Sequence, residues 1–164
     1  RMNLAPRQLA DPELLARHDH AVARHRIGVD QLCVEITETT LLQDDAIVRE
    51  NLAGLSGRGT SIAIDDFGTG YASLTYLRRY HVDVIKIDRS FVTDIATNAR
   101  DAQLTGAVIS LAHHLDMTVT AEGIEDPDQA RVLRELGCTS GQGYLYSPAV
   151  PADEIDRQLA ERSR

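Results

Sequence analysis

Short apolar runs rich in β-branched residues recur along the chain, and helical patterns fill the spaces between them. Leu32–Thr37, Ser61–Asp66, Val82–Asp88 and Met117–Glu122 are runs of this kind. Continuous rather than alternating hydrophobicity over so few residues predicts strands of a parallel sheet, buried on both faces. Asp45–Leu55 sets Ile47, Val48, Leu52 and Leu55 on one helical face, and the cluster Ser56-Gly57-Arg58-Gly59 ends it. Leu104–Leu115 repeats the spacing with Leu104, Val108, Leu111, Ala112 and Leu115. Asp126-Pro127 reads as the N-cap and first-turn proline of another helix, closed by Gly137. Asp11-Pro12 opens a helix running to His25, and Ala152–Arg164 reads as a final amphipathic helix.

Strand and helix thus alternate with no linker, low-complexity tract or charge block between them, the signature of right-handed βα units. An open doubly wound sheet and a (β/α) barrel both fit that alternation. The Gly-x-Gly-x-x-Gly fingerprint and the Walker A loop are absent, which favours the barrel. The fold class expected is therefore α/β, a TIM-like barrel with about six βα units present. A whole barrel takes about 250 residues, so these 164 fall short by about two units. Arg1 stands ahead of Met2 and leads straight into a structured segment, which reads as a fragment of something longer.

Composition narrows the function. Hydrophobic residues make up 43%, which suits one folded domain with a real core. No apolar run approaches the roughly 20 residues of a membrane helix, and the N-terminus carries no signal-peptide pattern. The formal charge of −8 argues against a DNA- or RNA-binding surface, which needs lysine and arginine to displace counterions. An anionic substrate still fits if metal ions neutralise its site. Cys33 and Cys138 form no Cys-x-x-Cys pair and read as buried thiols in a reducing, cytoplasmic setting.

The polar exceptions carry the chemistry. Glu35 lies near the end of its apolar run, with Glu38 three residues on; Asp65-Asp66, Lys86 and Glu122 close the later ones. Parallel strands all finish on one side, and in a barrel that rim is where active sites are built. A single acid at a strand end caps the next helix or turn. Two adjacent acids ending a buried strand repel each other unless a cation or donors neutralise them. Four acids and a lysine on one rim point to a metal site, and all-oxygen ligation favours Mg²⁺ or Mn²⁺ over Zn²⁺. The Phe67-Gly-Thr-Gly70 loop follows directly, its glycines suited to shaping that site. His18, His20 and His25 read as a solvated helix face, and Asp88 and Arg89 as residues that order the loop at a strand end.

Six blocks together resemble EAL domains, the phosphodiesterases that linearise cyclic di-GMP. They are Asn3-Leu-Ala-Pro-Arg-Gln-Leu9, Glu35-Ile-Thr-Glu38, Asp65-Asp-Phe-Gly-Thr-Gly-Tyr71, Ile85-Lys-Ile-Asp-Arg-Ser-Phe-Val92, Ala121-Glu-Gly-Ile-Glu125 and Gly141-Gln-Gly-Tyr144, with Tyr146-Ser-Pro148 resembling the closing block. They run in the family's order from Asn3 to Ile155, so residues 1–164 are expected to be a partial EAL domain with a C-terminal helix over 152–164. The resemblance implies that Asn3, Glu35 and Asp65 bind a first metal and that Asp65 bridges to a second. Asp66 and Glu122 would serve the second metal. Lys86 would hold or deprotonate the attacking water, with a pKa lowered by the two ions beside it. Gln142 would position water or substrate, and Glu38 would anchor the Asp-Phe-Gly-Thr-Gly loop. The implied product is linear pGpG, made with two Mg²⁺ or Mn²⁺ ions. A homodimer built on the loop and helix after Asp66, and an upstream sensor or diguanylate-cyclase-like domain in a parent protein that can itself be membrane-tethered, are habits of the family.

One departure matters. The Glu-Ala-Leu motif that names the family stands upstream of the asparagine block, and no Glu-x-Leu occupies that place here. Its glutamate and a nearby phosphate-binding arginine are absent. Two readings follow: a piece of a metal-dependent phosphodiesterase, inactive when isolated, or an EAL-like module that binds cyclic di-GMP or a protein partner without hydrolysis.

Overall fold

The structure is a computed structural model that describes residues 1–41, 45–68, 77 and 79–162. Six strands form one sheet: β1 (Met2–Asn3), β2 (Cys33–Thr37), β3 (Ser61–Phe67), β4 (Val84–Ile87), β5 (Thr118–Ala121) and β6 (Ser140–Gly141). Every pair is parallel and the spatial order equals the chain order, β1 to β6. A sheet wound in one direction puts all its connections on one face. This is the barrel arrangement, since a doubly wound sheet reverses its strand order.

The described helices are α1 (Pro6–Leu9), α2 (Leu14–His25), α3 (Glu38–Leu41), α4 (Ala46–Gly57), α5 (Arg89–Val92), α6 (Ala99–His114), α7 (Pro127–Glu135) and α8 (Ala152–Arg162). Local chemistry starts the longer ones. Asp45 accepts from the Ile47 and Val48 amides at the head of α4, and Asn98 accepts from Arg100 at the head of α6. Asp126 and Gln129 form a reciprocal capping box on α7, with Pro127 in the first turn. The α2 helix begins at Leu14 rather than at Pro12, because residues 12 and 13 are taken up in a turn.

Alternate strand residues separate two environments. Val34, Ile36, Ile62, Ile64, Ile85, Ile87, Val119 and Ala121 are each at most 2% exposed and form the layer beneath the helices. Removing such side chains from water is the main stabilising term. Their neighbours in sequence, Glu35, Ala63, Lys86 and Thr120, line the other face, where the register sets Glu35 opposite Ala63 and Lys86 opposite Thr120. The hydrophobic layer therefore sits outside the sheet, and its inner face is left to polar side chains.

Two readings of side chains change. His18 is enclosed rather than solvated: its ring nitrogens meet Thr60 Oγ1 at 2.9 Å and Asp19 Oδ1 at 3.2 Å. Arg58 also pairs with Asp19, and the two bonds from Arg58 and His18 hold that carboxyl down to about 2. Leu104 is 52% exposed, whereas Ala112 is buried, Val108, Leu111 and Leu115 pack against the core, and Thr105 and Ile109 join the buried stripe of α6. Cys33 and Cys138 are half-buried free thiols whose pKa burial raises, so neither is an activated nucleophile. Among the described residues no helix is long and apolar enough to cross a membrane.

Candidate active site

Lys86 is the third residue of the four-residue β4, and its side chain is 5% exposed. A buried ammonium needs acceptors on every side. It finds three: Asp65 Oδ1 at 2.7 Å, Glu35 Oε2 at 3.0 Å and Glu122 Oε1 at 2.6 Å. These come from β3, from β2 and from the residue after β5. Four neighbouring strands thus deliver one charge cluster to the rim at their C-terminal ends.

Asp65 and Asp66 reach this cluster through an irregularity. Adjacent residues of a regular strand point to opposite faces. Here Ile64 pairs with Ile85 and Phe67 with Ile87, so two residues of β3 stand against the single Lys86 of β4. The extra residue is a β-bulge, and Asp66 absorbs it at φ 53°, a conformation uncommon outside glycine, asparagine and aspartate. The result is that Asp65, Asp66 and Glu122 each offer a carboxylate oxygen within 4.8 Å of the others.

The remaining expected residues arrange themselves around this centre. Asn3 pairs in register with Glu35 at the end of β1. Gln142 donates from Nε2 to Glu122 Oε1 at 3.0 Å. Glu38, 3% exposed, accepts from the Gly68 amide at 2.9 Å and so holds the start of the loop after β3. Gly68 itself has φ 98° and lies under the Phe91 ring. The rest of that loop and the segment invoked for a dimer, residues 69–76 and 78, lie outside the described residues. Asp88 caps α5 by accepting from Ser90 N, and Arg89 pairs with Glu125 at 3.0 Å, as expected of residues ordering that end.

Gln142 depends on a close backbone approach. Ile124 N donates to Gln142 O at 3.1 Å and Leu145 N to Ile124 O at 2.9 Å, with Gly143 between them. A Cβ on Gly143 would fall on the Ile124 backbone. Gly143→Ala is expected to cost about 3 kcal/mol, because backbone cannot give way as a side-chain tip can. Urea unfolding checks this, and an unchanged midpoint would remove Gly143 as the spacer between the Glu122 and Gln142 loops.

Charge is unbalanced here. Burial raises the pKa of Glu122, with Asp65 and Glu35 adding to it against the pull of Lys86. Burial also raises Asp66, helped by Asp65 and Asp88. Desolvation leads both shifts, and the neighbouring acids add to it. At Lys86 burial pulls the pKa down, but bonds to Asp65, Glu122 and Glu35 outweigh it and hold the ammonium above its ordinary range. The lowering expected with two metal ions beside it belongs to the metal-loaded site and stands as an expectation. One contact went unforeseen in the sequence. Arg1 reaches this inner face, 3.7 Å from Glu35 Oε1 and 3.2 Å from Thr120 Oγ1.

A parallel barrel sheet with crowded carboxylates and one lysine at its C-terminal rim defines the class: an α/β barrel with a candidate cation site. The family follows from comparison with known proteins. Residues 1–149 match the model of the EAL domain, and the chain belongs to that family. The bifunctional diguanylate cyclase/cyclic di-GMP phosphodiesterase MucR of Pseudomonas aeruginosa is 38% identical over 159 residues, 97% of this chain and 23% of that protein. The EAL enzyme Bd1971, solved with cAMP and cyclic di-GMP bound, superposes with a TM-score of 0.92 at 34% identity over 96% of this chain and 42% of its own. The Klebsiella pneumoniae BlrP1 complex with manganese and cyclic di-GMP superposes at 0.81, with 32% identity, over 87% of this chain and 37% of its own. The chain spans between 20% and 26% of the length of the curated relatives it matches.

Proposed function

We propose that the whole protein hydrolyses cyclic di-GMP to linear pGpG with Mg²⁺ or Mn²⁺, and that residues 1–164 supply one part of its EAL domain. The observation that carries this reading is the bulge that brings Asp65 and Asp66 together beside Glu122. The donor set fits hard divalent ions, being all oxygen and crowded. The ammonium of Lys86 stands among three carboxylates where a cation is wanted.

In this reading Asn3, Glu35 and Asp65 hold one ion, and Asp65, Asp66 and Glu122 the other. Bound ions would acidify a shared water and neutralise the phosphate and leaving alkoxide of an in-line displacement. The protein's own part is orientation. Lys86 fixes one oxygen each of Glu35, Asp65 and Glu122, and Gln142 fixes Glu122 from above. Lys86 would hold the attacking water or help to deprotonate it, with its pKa lowered by the ions beside it. The cytoplasmic setting, the upstream sensor or cyclase-like domain and the homodimer belong to the same proposal, through the family.

The 164-residue chain alone is expected to be inactive, because β1 and β6 are both edges of its sheet and Met2 on β1 is 53% exposed. Robust conversion of cyclic di-GMP by this chain would contradict that. In the whole protein Ca²⁺ should inhibit, since it prefers more ligands at longer distances than Mg²⁺. Equal rates in Ca²⁺ and Mn²⁺ would count against a tight metal site.

A further inference from the structure

We infer that Arg1 is a built-in cation beneath the metal site that weakens its hold on divalent ions by competing for Glu35. The inference rests on the reading of Glu35 as a metal ligand. It goes further by assigning to this chain a residue that sets how tightly the metal is held.

The register places Arg1 on the inner face. Met2 pairs with Val34 and Asn3 with Glu35, so the residue before Met2 falls beside Cys33, one step below Glu35 on the same side of the sheet. From there the guanidinium, 39% exposed, reaches across the inner face. One nitrogen lies 3.7 Å from Glu35 Oε1, an ion-pair distance, and another donates to Thr120 Oγ1 at 3.2 Å. Thr120 Oγ1 in turn meets Ser140 Oγ at 2.7 Å, which fixes the far end of the contact on β5 and β6. Lys86 takes the other oxygen, Glu35 Oε2, at 3.0 Å. Glu35, only 7% exposed, thus has a separate cation on each oxygen. A metal ion that uses this carboxylate displaces one of them or shares an oxygen with it. Lys86 has Asp65 and Glu122 to fall back on. Arg1 has no second carboxylate among the described contacts, and its charge remains under the ion. The consequence is a site that releases metal more readily than its ligands alone dictate.

The test is Mn²⁺ binding, followed by the loss of the free-ion electron paramagnetic resonance signal, so that turnover is not needed. The whole protein and its Arg1→Gln, Arg1→Met and Arg1→Lys variants are compared, with circular dichroism to check folding. Removing one positive charge at this range should tighten Mn²⁺ roughly three- to tenfold in Arg1→Gln and Arg1→Met. Arg1→Lys, which keeps the charge, should bind as the parent does. A merely structural arginine would make the neutral variants bind more weakly, and that result, or unchanged affinity in both, overturns the inference. Two neutral variants keep it testable if one folds poorly. If the unsubstituted protein itself binds no Mn²⁺, the metal-site reading fails and the Arg1 role with it. If the parent binds and the variants match it, the Arg1 role fails alone.

Discussion

Replacing Asp65 with alanine is expected to lower turnover of cyclic di-GMP by the whole protein at least about 10³-fold, with Mn²⁺ affinity falling in parallel. Asp65, like Glu122, both bonds to Lys86 and belongs to the close trio, and it adjoins Asp66 at the bulge. In the proposed assignment it touches both ions, so its loss disconnects them. Asp66→Ala should cost less, since Asp66 is exposed and serves one side only. Full activity in Asp65→Ala would end the bridging assignment, and isothermal titration with Mn²⁺ would show whether binding or only turnover had changed.

The second large effect belongs to Lys86. Lys86→Met removes the cation shared by Glu35, Asp65 and Glu122, leaving three mostly buried carboxylates to repel one another. Breaking a buried ion pair by deleting one partner costs about 3 kcal/mol or more at neutral pH. The sign of the pH dependence follows from the acids. Burial already raises Glu122 with Lys86 present, and losing Lys86 raises it further. A carboxyl with a raised folded pKa is least favourable when charged. Stability lost at neutral pH should therefore return at mildly acidic pH, as that carboxyl takes up a proton. Mn²⁺ should restore it too, by replacing the lost charge. Urea unfolding at both pH values, with and without Mn²⁺, reads this directly. A deficit that neither acid nor Mn²⁺ reduces would mean that Lys86 acts by packing rather than charge.

Much of this was legible in the sequence because the strands that carry Glu35, Asp65, Lys86 and Glu122 are buried on both faces. Their apolar runs stand out, and so do the polar residues that interrupt them. β1 and β6, two residues each, are too short for any period, and Asn3 and Gln142 came from family resemblance alone. The bulge at Asp65-Asp66 could not be read, because an extra residue in one strand is defined only by the register of its partner. Enclosure misled in the same way. His18 sits on a polar helix face, and only its meeting with Thr60, 42 residues away, shows that it is not solvated. Arg1 gave no signal, since a charged side chain at the start of a segment is usually in water.

Cyclic di-GMP incubated with the whole protein and Mn²⁺, with products separated by liquid chromatography, tests the central claim most directly. The account predicts linear pGpG as the product, its formation stopped by a chelator and restored by added Mn²⁺. Cyclic di-GMP that binds yet stays intact in Mn²⁺ and in Mg²⁺ would contradict it, and would make the protein a non-hydrolytic module for the dinucleotide.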